Sequence, residues 1–289
     1  MTLSKAEHHA ASVPFFVAHR DAETESLVPL PSANSQWGGT GGQLRGMAVS
    51  GALARATENA VTAALSTGQR LRPVRWTVDL YRAAAFGPSA TSVHFVRRGR
   101  RLCVVDAVLE QGGRDVARSR ALFMAPGDSP AGAVWEPEPA RIAPPPRSMC
   151  PDTDEPRLYY SDGVGWTGSP DPHATPARKA TWHFPAPLVE GESPSPFQLA
   201  AMAADVVNVV CNWGAGGLEF INADFTLVLA RLPGEGELGL VADQRAEEDG
   251  LAVGSAVVFD RAGTLGTVVA SGLANGTNAV DPTLFRRNP

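Results

Sequence analysis

The sequence predicts an α+β protein built from two tandem domains, each an antiparallel sheet wrapped around a long helix. Two observations support this: the same order of elements occurs twice along the chain, and a proline-rich segment separates the two copies. A chain of 289 residues that is 44% hydrophobic can bury two modest cores. We therefore expect an N-terminal domain at 1–125, a Pro-rich linker at 126–178 and a C-terminal domain with a short tail at 179–289.

The first copy opens with a short strand at 14–18 and continues with a proline-free, alanine- and leucine-rich stretch at 44–65, which predicts a helix. Gly112 and Gly113 predict the turn of its last hairpin. Four strand-like segments follow the helix, at 73–82, 91–98, 102–110 and 116–123.

The second copy repeats this order, with a short strand at 180–184 and a helix at 196–211. Its later strands are predicted at 219–231, 236–245, 251–260 and 264–271. Within the first of these, Asn222, Asp224 and Thr226 alternate with apolar residues, so the period of two predicts that all three point away from the core.

Composition excludes several classes of protein. A net charge of -5 and a pI near 5.7 argue against nucleic-acid binding, which usually requires a basic surface. Three widely spaced cysteines and scattered histidines predict no metal site and a reduced, cytoplasmic setting. No apolar run approaches the length of about 20 residues that a membrane helix needs, so we expect a soluble protein that does not bind membranes.

Motifs in both copies point to one family. Trp37, Gln43 and the helix from Gly46 to Ala56 form one motif, and the second copy carries Asp205, Asn208 and the run Phe-Ile-Asn-Ala-Asp-Phe-Thr at 220–226. With these motifs the chain resembles the double-hotdog acyl-CoA thioesterases related to acyl-CoA thioesterase II. The resemblance covers about 14–125 and 179–273 and implies a tandem double hotdog fold.

The resemblance also implies a chemistry, in which an aspartate orients and deprotonates the water that attacks an acyl thioester. The interval from Asp224 to Arg231 matches that of the family and assigns the aspartate role to Asp224, with Asn208 and Ser271 as further catalytic candidates. The expected substrate is an acyl-CoA or a carrier-bound acyl group, without any other cofactor. The residues expected to bind it are Trp37, Gly42, Gln43, Arg45, Gly46, Asn222 and Thr226.

The chain departs from the family pattern at several positions. The place of a helper glutamine falls near Ala270 and Ser271, and the expected threonine or serine falls near Arg245. Val207 and Val209 replace glycines beside Asn208, which predicts a reshaped acyl channel.

These departures leave alternatives open. The same fold could bind an acyl or hydrophobic biosynthetic intermediate and catalyse cyclisation or dehydration, or could only bind or scaffold. Asp224 could serve as a structural cap, Asn208 as a structural hydrogen-bonding group and Trp37 as a core residue. The arginines at 97–101 predict a solvated hairpin turn, with contact to coenzyme phosphates as the alternative. Further association into a homo-oligomer stays open.

Overall fold

The computed structural model describes residues 13–21, 24–35, 42–135, 142–152 and 155–282. Trp37, which was predicted to line the substrate pocket, lies outside these residues. The predicted architecture is confirmed, because two helical regions pack against one large antiparallel sheet to which both halves of the chain contribute.

The N-terminal half contains one long helix and the strands that surround it. Its helix α1, Gly46–Ala64, lies slightly inside the predicted range of 44–65. The strands of this half are β1 (Phe16–Arg20), β2 (Glu25–Pro29), β3 (Asn34–Ser35), β4 (Gln43–Leu44), β5 (Arg72–Leu80), β6 (Ser89–Arg98), β7 (Leu102–Gln111) and β8 (Arg114–Met124).

Part of the proline-rich segment between the two halves is folded into the sheet. It contributes two strands, β9 (Arg157–Ser161) and β10 (Gly165–Thr167), which extend the sheet beyond β11 (Lys179–His183). Three consecutive buried residues begin β9, and Tyr159 packs edge-on against Trp213 at a centroid distance of 6.0 Å. The linker predicted at 126–178 therefore includes part of the folded body, because its aromatic residues bury enough surface to hold these strands in place.

The C-terminal half repeats the arrangement with a broken helix. The helix predicted at 196–211 is divided into α2 (Pro196–Ala204) and α3 (Val207–Asn212), with Asp205 and Val206 at the break. The strands that follow are β12 (Trp213–Gly214), β13 (Gly217–Leu218), β14 (Phe220–Asn222), β15 (Asp224–Leu229), β16 (Leu238–Glu248), β17 (Leu251–Asp260) and β18 (Gly263–Ala274).

The two halves are joined strand to strand at the centre of the sheet. β5 and β15 pair antiparallel, with Thr77 opposite Thr226 and Trp76 opposite Leu227. On one side of this junction the order is β5, β8, β7, β6, β2, β1, and on the other side it is β15, β18, β17, β16, β11, β9, β10. The sheet is therefore continuous, and its two sides mirror the repetition in the sequence.

Helices α1 and α2 pack against each other on the concave side of the sheet. The Trp76 indole Nε1 donates to Ser50 Oγ at 3.0 Å, and Ser50 Oγ donates to the Ala201 carbonyl at 2.7 Å. A Cβ atom placed on Gly51 would lie only 2.6 Å from Leu188 Cδ1 and 2.8 Å from Met202 Cγ. This close packing leaves no channel between the helices at that level.

We expect Gly266→Ala to destabilise the protein by about 3 kcal/mol or more, since a Cβ at Gly266 would lie 1.9 Å from the Val228 carbonyl oxygen in the neighbouring strand β15. Backbone must move to relieve this contact. Gly272→Ala on the same strand is the matched control, because its Cβ would meet neighbours no closer than 3.4 Å. Urea unfolding of both variants measures the difference. Equal stability of the two variants would show that strands β15 and β18 can accommodate a Cβ atom at Gly266, which contradicts the prediction.

Candidate active site

One cavity of about 300 Å³ lies at the N-terminus of α1, between the two halves of the chain. Its wall combines charged and amide side chains with apolar ones. The polar side chains are Ser35, Gln43, Arg45, Arg82, Arg157, Asp205, Asn208 and Asn222, and the apolar wall includes Met47, Val49, Leu80, Val116, Val209, Leu218, Ile221 and Leu273. A cavity of this size is at the small end of the range for small-molecule sites, about 300–1,000 Å³.

Asp205 is the only carboxylate on the described cavity wall, and it faces the first turn of α1. Its carboxylate accepts a hydrogen bond from the backbone N–H of Met47 and another, at 3.2 Å, from Asn222 Nδ2. The α1 N-cap residue, Arg45, provides no side-chain cap of its own. The carboxylate from the C-terminal half therefore caps the helix of the N-terminal half, where the helix dipole favours a negative charge.

Gly46 makes this approach possible. A Cβ atom at this position would lie 2.1 Å from Asp205 Oδ1, so any larger residue would displace the carboxylate. The Gly46 N–H begins the helix and lacks an intrahelical acceptor, and no backbone acceptor within the described residues takes its proton. The arrangement thus places a carboxylate and an available N–H donor side by side at the cavity wall.

The surroundings of Asp205 favour proton uptake more than those of a surface aspartate. Burial raises the pKa of Asp205, and this effect outweighs the hydrogen bond from Asn222 and the charges of Arg157 and Arg45, all of which lower it. An aspartate with a raised pKa is a stronger base than one in water, which suits it to accept a proton from a bound water molecule.

Next to Asp205 lies a buried ion network. Glu155 accepts from Arg45 Nη2 at 2.6 Å and from Arg45 Nη1 at 3.0 Å, and it also accepts from Arg157. Burial opposes ionisation of Glu155, but the two arginines prevail and hold its pKa at about 2. The network fixes two cations at the cavity wall in a permanently charged state.

The structure brings five of the predicted site residues to the cavity: Gln43, Arg45, Gly46, Asn208 and Asn222. The Asn208 amide is already engaged, because its Nδ2 donates to the Phe220 carbonyl at 2.9 Å and its Oδ1 accepts from Asn212 Nδ2 at 2.8 Å. Asn222 was expected to point away from the core with Asp224 and Thr226. The chain bends at Ala223, between β14 and β15, and this bend allows Asn222 to reach the cavity.

The other predicted site residues that the structure describes lie outside the cavity wall. Asp224 Oδ1 accepts from the Ser271 backbone N–H at 2.9 Å, and Thr226 Oγ1 lies 3.1 Å from Thr77 Oγ1 across the central strand pair. Neither these residues nor Ser271 belongs to the cavity wall. Gly42 adopts a φ of 66° in a turn next to Phe86, also off the wall. Asp224 thus accepts a hydrogen bond across the β15–β18 strand pair and lies outside the cavity wall, and the water-activating role predicted for it stays a prediction.

Sequence reasoning missed three charged cavity-wall residues, Arg82, Arg157 and Asp205, and the carboxylate Glu155 beside them. Asp205 belonged to a recognised motif but received no role, because the interval to Arg231 favoured Asp224. Arg157 and Glu155 were passed over because their segment was interpreted as a linker. The run Leu158, Tyr159 and Tyr160, which contains two residues of a type enriched in strands, was the available signal for a strand there.

The described residues contain no group of three or more His, Cys, Asp or Glu side chains that could bind a metal ion. Within the same residues, no helix combines the length and apolar character needed to cross a bilayer.

Fold and cavity together define a double-hotdog protein with one acidic site at the helix N-terminus. A family model described as the acyl-CoA thioesterase N-terminal domain matches residues 33–124, and a second, described as the C-terminal domain, matches residues 130–273. The second range includes β9 and β10. The chain therefore belongs to the acyl-CoA thioesterase family with tandem hotdog domains.

Solved structures share this fold at low sequence identity. A TesB protein from Mycobacterium avium subspecies paratuberculosis is 16% identical over 93% of this chain and 98% of its own, with a TM-score of 0.61. An acyl-CoA thioesterase II from Mycobacterium marinum is 14% identical over 90% and 95% of the two chains, with a TM-score of 0.61. A hot dog fold protein of unknown function from Alicyclobacillus acidocaldarius is 17% identical over 89% and 95%, with a TM-score of 0.59. No curated protein sequence matches the chain.

We expect Glu155→Gln to lower the free energy of unfolding by roughly 3–5 kcal/mol, because it leaves the buried Arg157 without its full counter-charge. The depressed pKa of Glu155 also means that its contribution is complete above the unfolded-state pKa of about 4.3 and is lost as the pH falls toward 2. Glu247→Gln is the control, since its ion pair with Arg245 is exposed. Chemical denaturation at pH 7 and at about pH 2.5 tests both statements, because most of the contribution is lost only as the pH approaches the folded-state pKa. A loss of unfolding free energy in Glu155→Gln no larger than that in Glu247→Gln would contradict the prediction.

Proposed function

We propose that the protein hydrolyses acyl-CoA thioesters with Asp205 as the base. The observation that carries this proposal is the partly buried Asp205 carboxylate beside the free N–H of Gly46, on the wall of a cavity in a thioesterase-family fold. Family membership supports acyl-CoA as the substrate class. A carrier-bound acyl group presents the same thioester and is the second form of substrate to test.

In the proposed reaction, the ionised Asp205 takes a proton from a water molecule while the water oxygen attacks the thioester carbonyl carbon. The carbonyl oxygen becomes an oxyanion, which the Gly46 N–H at the helix N-terminus stabilises. Collapse of this intermediate breaks the carbon–sulfur bond. The proton held by Asp205 passes to the leaving thiolate, so the products are a carboxylic acid and the free thiol. Asn222 keeps the Asp205 carboxylate in place.

Charge at the mouth of the cavity suits an anionic coenzyme. Arg82 is exposed at the cavity wall, and its guanidinium makes no hydrogen bond or ion pair with another described residue. A guanidinium in this position can bind a phosphate group without first losing a protein partner. Of the arginines at 97–101, which were considered for this role from the sequence, Arg98, Arg100 and Arg101 line a different surface at the other end of α1.

Two observations favour a second candidate function, in which the protein binds an acyl ligand without hydrolysing it. The Asp205 carboxylate is already occupied by Met47 N–H and Asn222, and the place predicted for a helper glutamine holds Ala270 and Ser271 instead. Both facts suit a protein that binds an acyl ligand while Asp205 serves only as a helix cap. The variant Asp205→Asn separates the two functions, because an asparagine side chain can still cap the helix but cannot act as a base.

We expect Asp205→Asn to lower kcat/KM for acyl-CoA hydrolysis by at least about a hundredfold while leaving the fold intact. Thiol release from a panel of acyl-CoAs measures this. Asp224→Asn is the matched control and retains activity close to that of the wild type, since Asp224 lies off the cavity wall. A large loss of kcat/KM in Asp224→Asn, with no loss in Asp205→Asn, would assign the role of the base to Asp224. Absence of wild-type hydrolysis together with acyl-CoA binding would favour the binding protein.

The pH profile gives a further readout of the same assignment. Because only ionised Asp205 accepts a proton, kcat/KM falls as the pH decreases through its pKa. Burial raises this pKa, so the acid limb lies above the value of about 3.9 for an aspartate in water. An acid limb at or below that value would contradict the placement of the base at Asp205.

We expect short-chain acyl-CoAs to be the best substrates, because the cavity is small and the contact between α1 and α2 closes the space between the helices. Val209→Ala enlarges the cavity at its wall and shifts the preference toward longer chains. Val210→Ala, which removes the same atoms from the core without reaching the cavity, leaves the preference unchanged. Ratios of kcat/KM across acyl-CoAs of increasing chain length, measured for the wild type and both variants, test this preference. A wild-type preference for long chains would contradict the closed geometry.

A further inference from the structure

A second concave surface lies at the C-terminal end of α1, with a volume of about 1110 Å³. We call it the arginine concavity, after the four arginines on its wall: Arg70, Arg98, Arg100 and Arg101. No aspartate or glutamate is among its described wall residues. In a chain with a net charge of -5, this surface concentrates positive charge and so favours an anionic ligand.

Two hydrogen-bonded contacts fix the shape of the arginine concavity. Arg98 Nη2 donates to the Ala64 carbonyl at 2.8 Å at the C-terminus of α1, while its guanidinium lies 5.4 Å from the centre of the Phe95 ring. Gln69 Nε2 donates to the carbonyls of Gly99, at 3.3 Å, and Arg100, at 3.1 Å, which ties the loop after α1 to the β6–β7 hairpin. The hairpin is therefore held in place before any ligand binds.

The remaining three arginines are available for binding. Arg70, Arg100 and Arg101 are exposed, and none of them makes a side-chain hydrogen bond or ion pair with another described residue. Guanidinium groups offer several N–H donors in a planar fork that matches phosphate oxygens. Three such groups around one concave surface repel one another unless an anion lies between them.

The arginine concavity is separate from the Asp205 cavity. Helix α1 has 19 residues and is therefore about 28 Å long, and the two sites contact its opposite ends. Gly46 and Met47 line the Asp205 cavity, whereas Val61, Ala64 and Leu65 line the arginine concavity. A ligand whose phosphates occupy the concavity leaves the cavity at the helix N-terminus free.

We propose that the arginine concavity binds an organic polyphosphate of the nucleoside di- or triphosphate class. Arg70, Arg100 and Arg101 bind the phosphates, and the apolar wall formed by Val61, Leu65 and Leu71 accommodates the remainder of the molecule. The concave shape and the absence of a longer basic stripe favour a small ligand over a nucleic acid. This site is independent of the proposed hydrolysis and does not require it.

Isothermal titration of the full chain with ATP, with inorganic pyrophosphate and with adenosine tests the proposal. We expect saturable binding of ATP and pyrophosphate but not of adenosine. The double variant Arg100→Glu/Arg101→Glu is expected to weaken ATP binding at least tenfold. Arg114→Glu, which reverses an exposed arginine outside the concavity, serves as the matched control and binds ATP like the wild type.

Several outcomes would overturn the proposal: no saturable ATP binding by the wild type, equal weakening by Arg114→Glu, or adenosine binding as tight as that of ATP. The Asp205→Asn variant is expected to bind ATP normally, so failure of the proposed hydrolysis leaves this test intact. If the double variant raised KM for acyl-CoA and left ATP binding unchanged, the concavity would belong to the substrate site instead.

Discussion

The contact between the Asp205 carboxylate and the first turn of α1 is the interaction on which the site depends. It joins the two halves of the chain at the point where a helix N-terminus would otherwise expose unpaired N–H groups. Because Gly46 has no side chain, the carboxylate can approach the backbone directly. The same contact that completes the helix therefore also sets the position of the acid at the cavity wall.

At the position related to the Asp205 site by the repeat, the described residues form ion pairs and hydrogen bonds. Arg55 occupies the tenth position counted from the start of α1, as Asp205 does from the start of α2. Arg55 donates to Glu192 at 2.6 Å and to Glu25 at 2.7 Å. Nearby, Glu58 accepts from Ser195 at 2.6 Å and from Gln198 at 2.9 Å. These ion pairs and hydrogen bonds occupy the place that corresponds to the Asp205 site.

The fold could be predicted from the sequence because repetition and strand periodicity are local signals. The site could be predicted only in part. Gln43, Arg45, Gly46, Asn208 and Asn222 were found from their motifs, whereas Asp224 satisfied a spacing rule and yet lies outside the cavity wall. What distinguishes Asp205 is its contact with a helix about 160 residues earlier, which no local pattern records. Arg157 was not predicted for a related reason. Its segment forms a strand because it packs against distant parts of the chain, and a local sequence pattern does not record such packing.

The fusion of the two halves through β5 and β15 allows a kind of specialisation that an assembly of identical subunits does not. In a symmetric homodimer, each position occurs twice, so a change that improves one site alters the other in the same way. Here Arg55 and Asp205 carry opposite charges at corresponding positions. A single covalent chain can thus place an acidic cavity at one end of its helix pair and a network of ion pairs at the other, and a mutation at one end does not change the other.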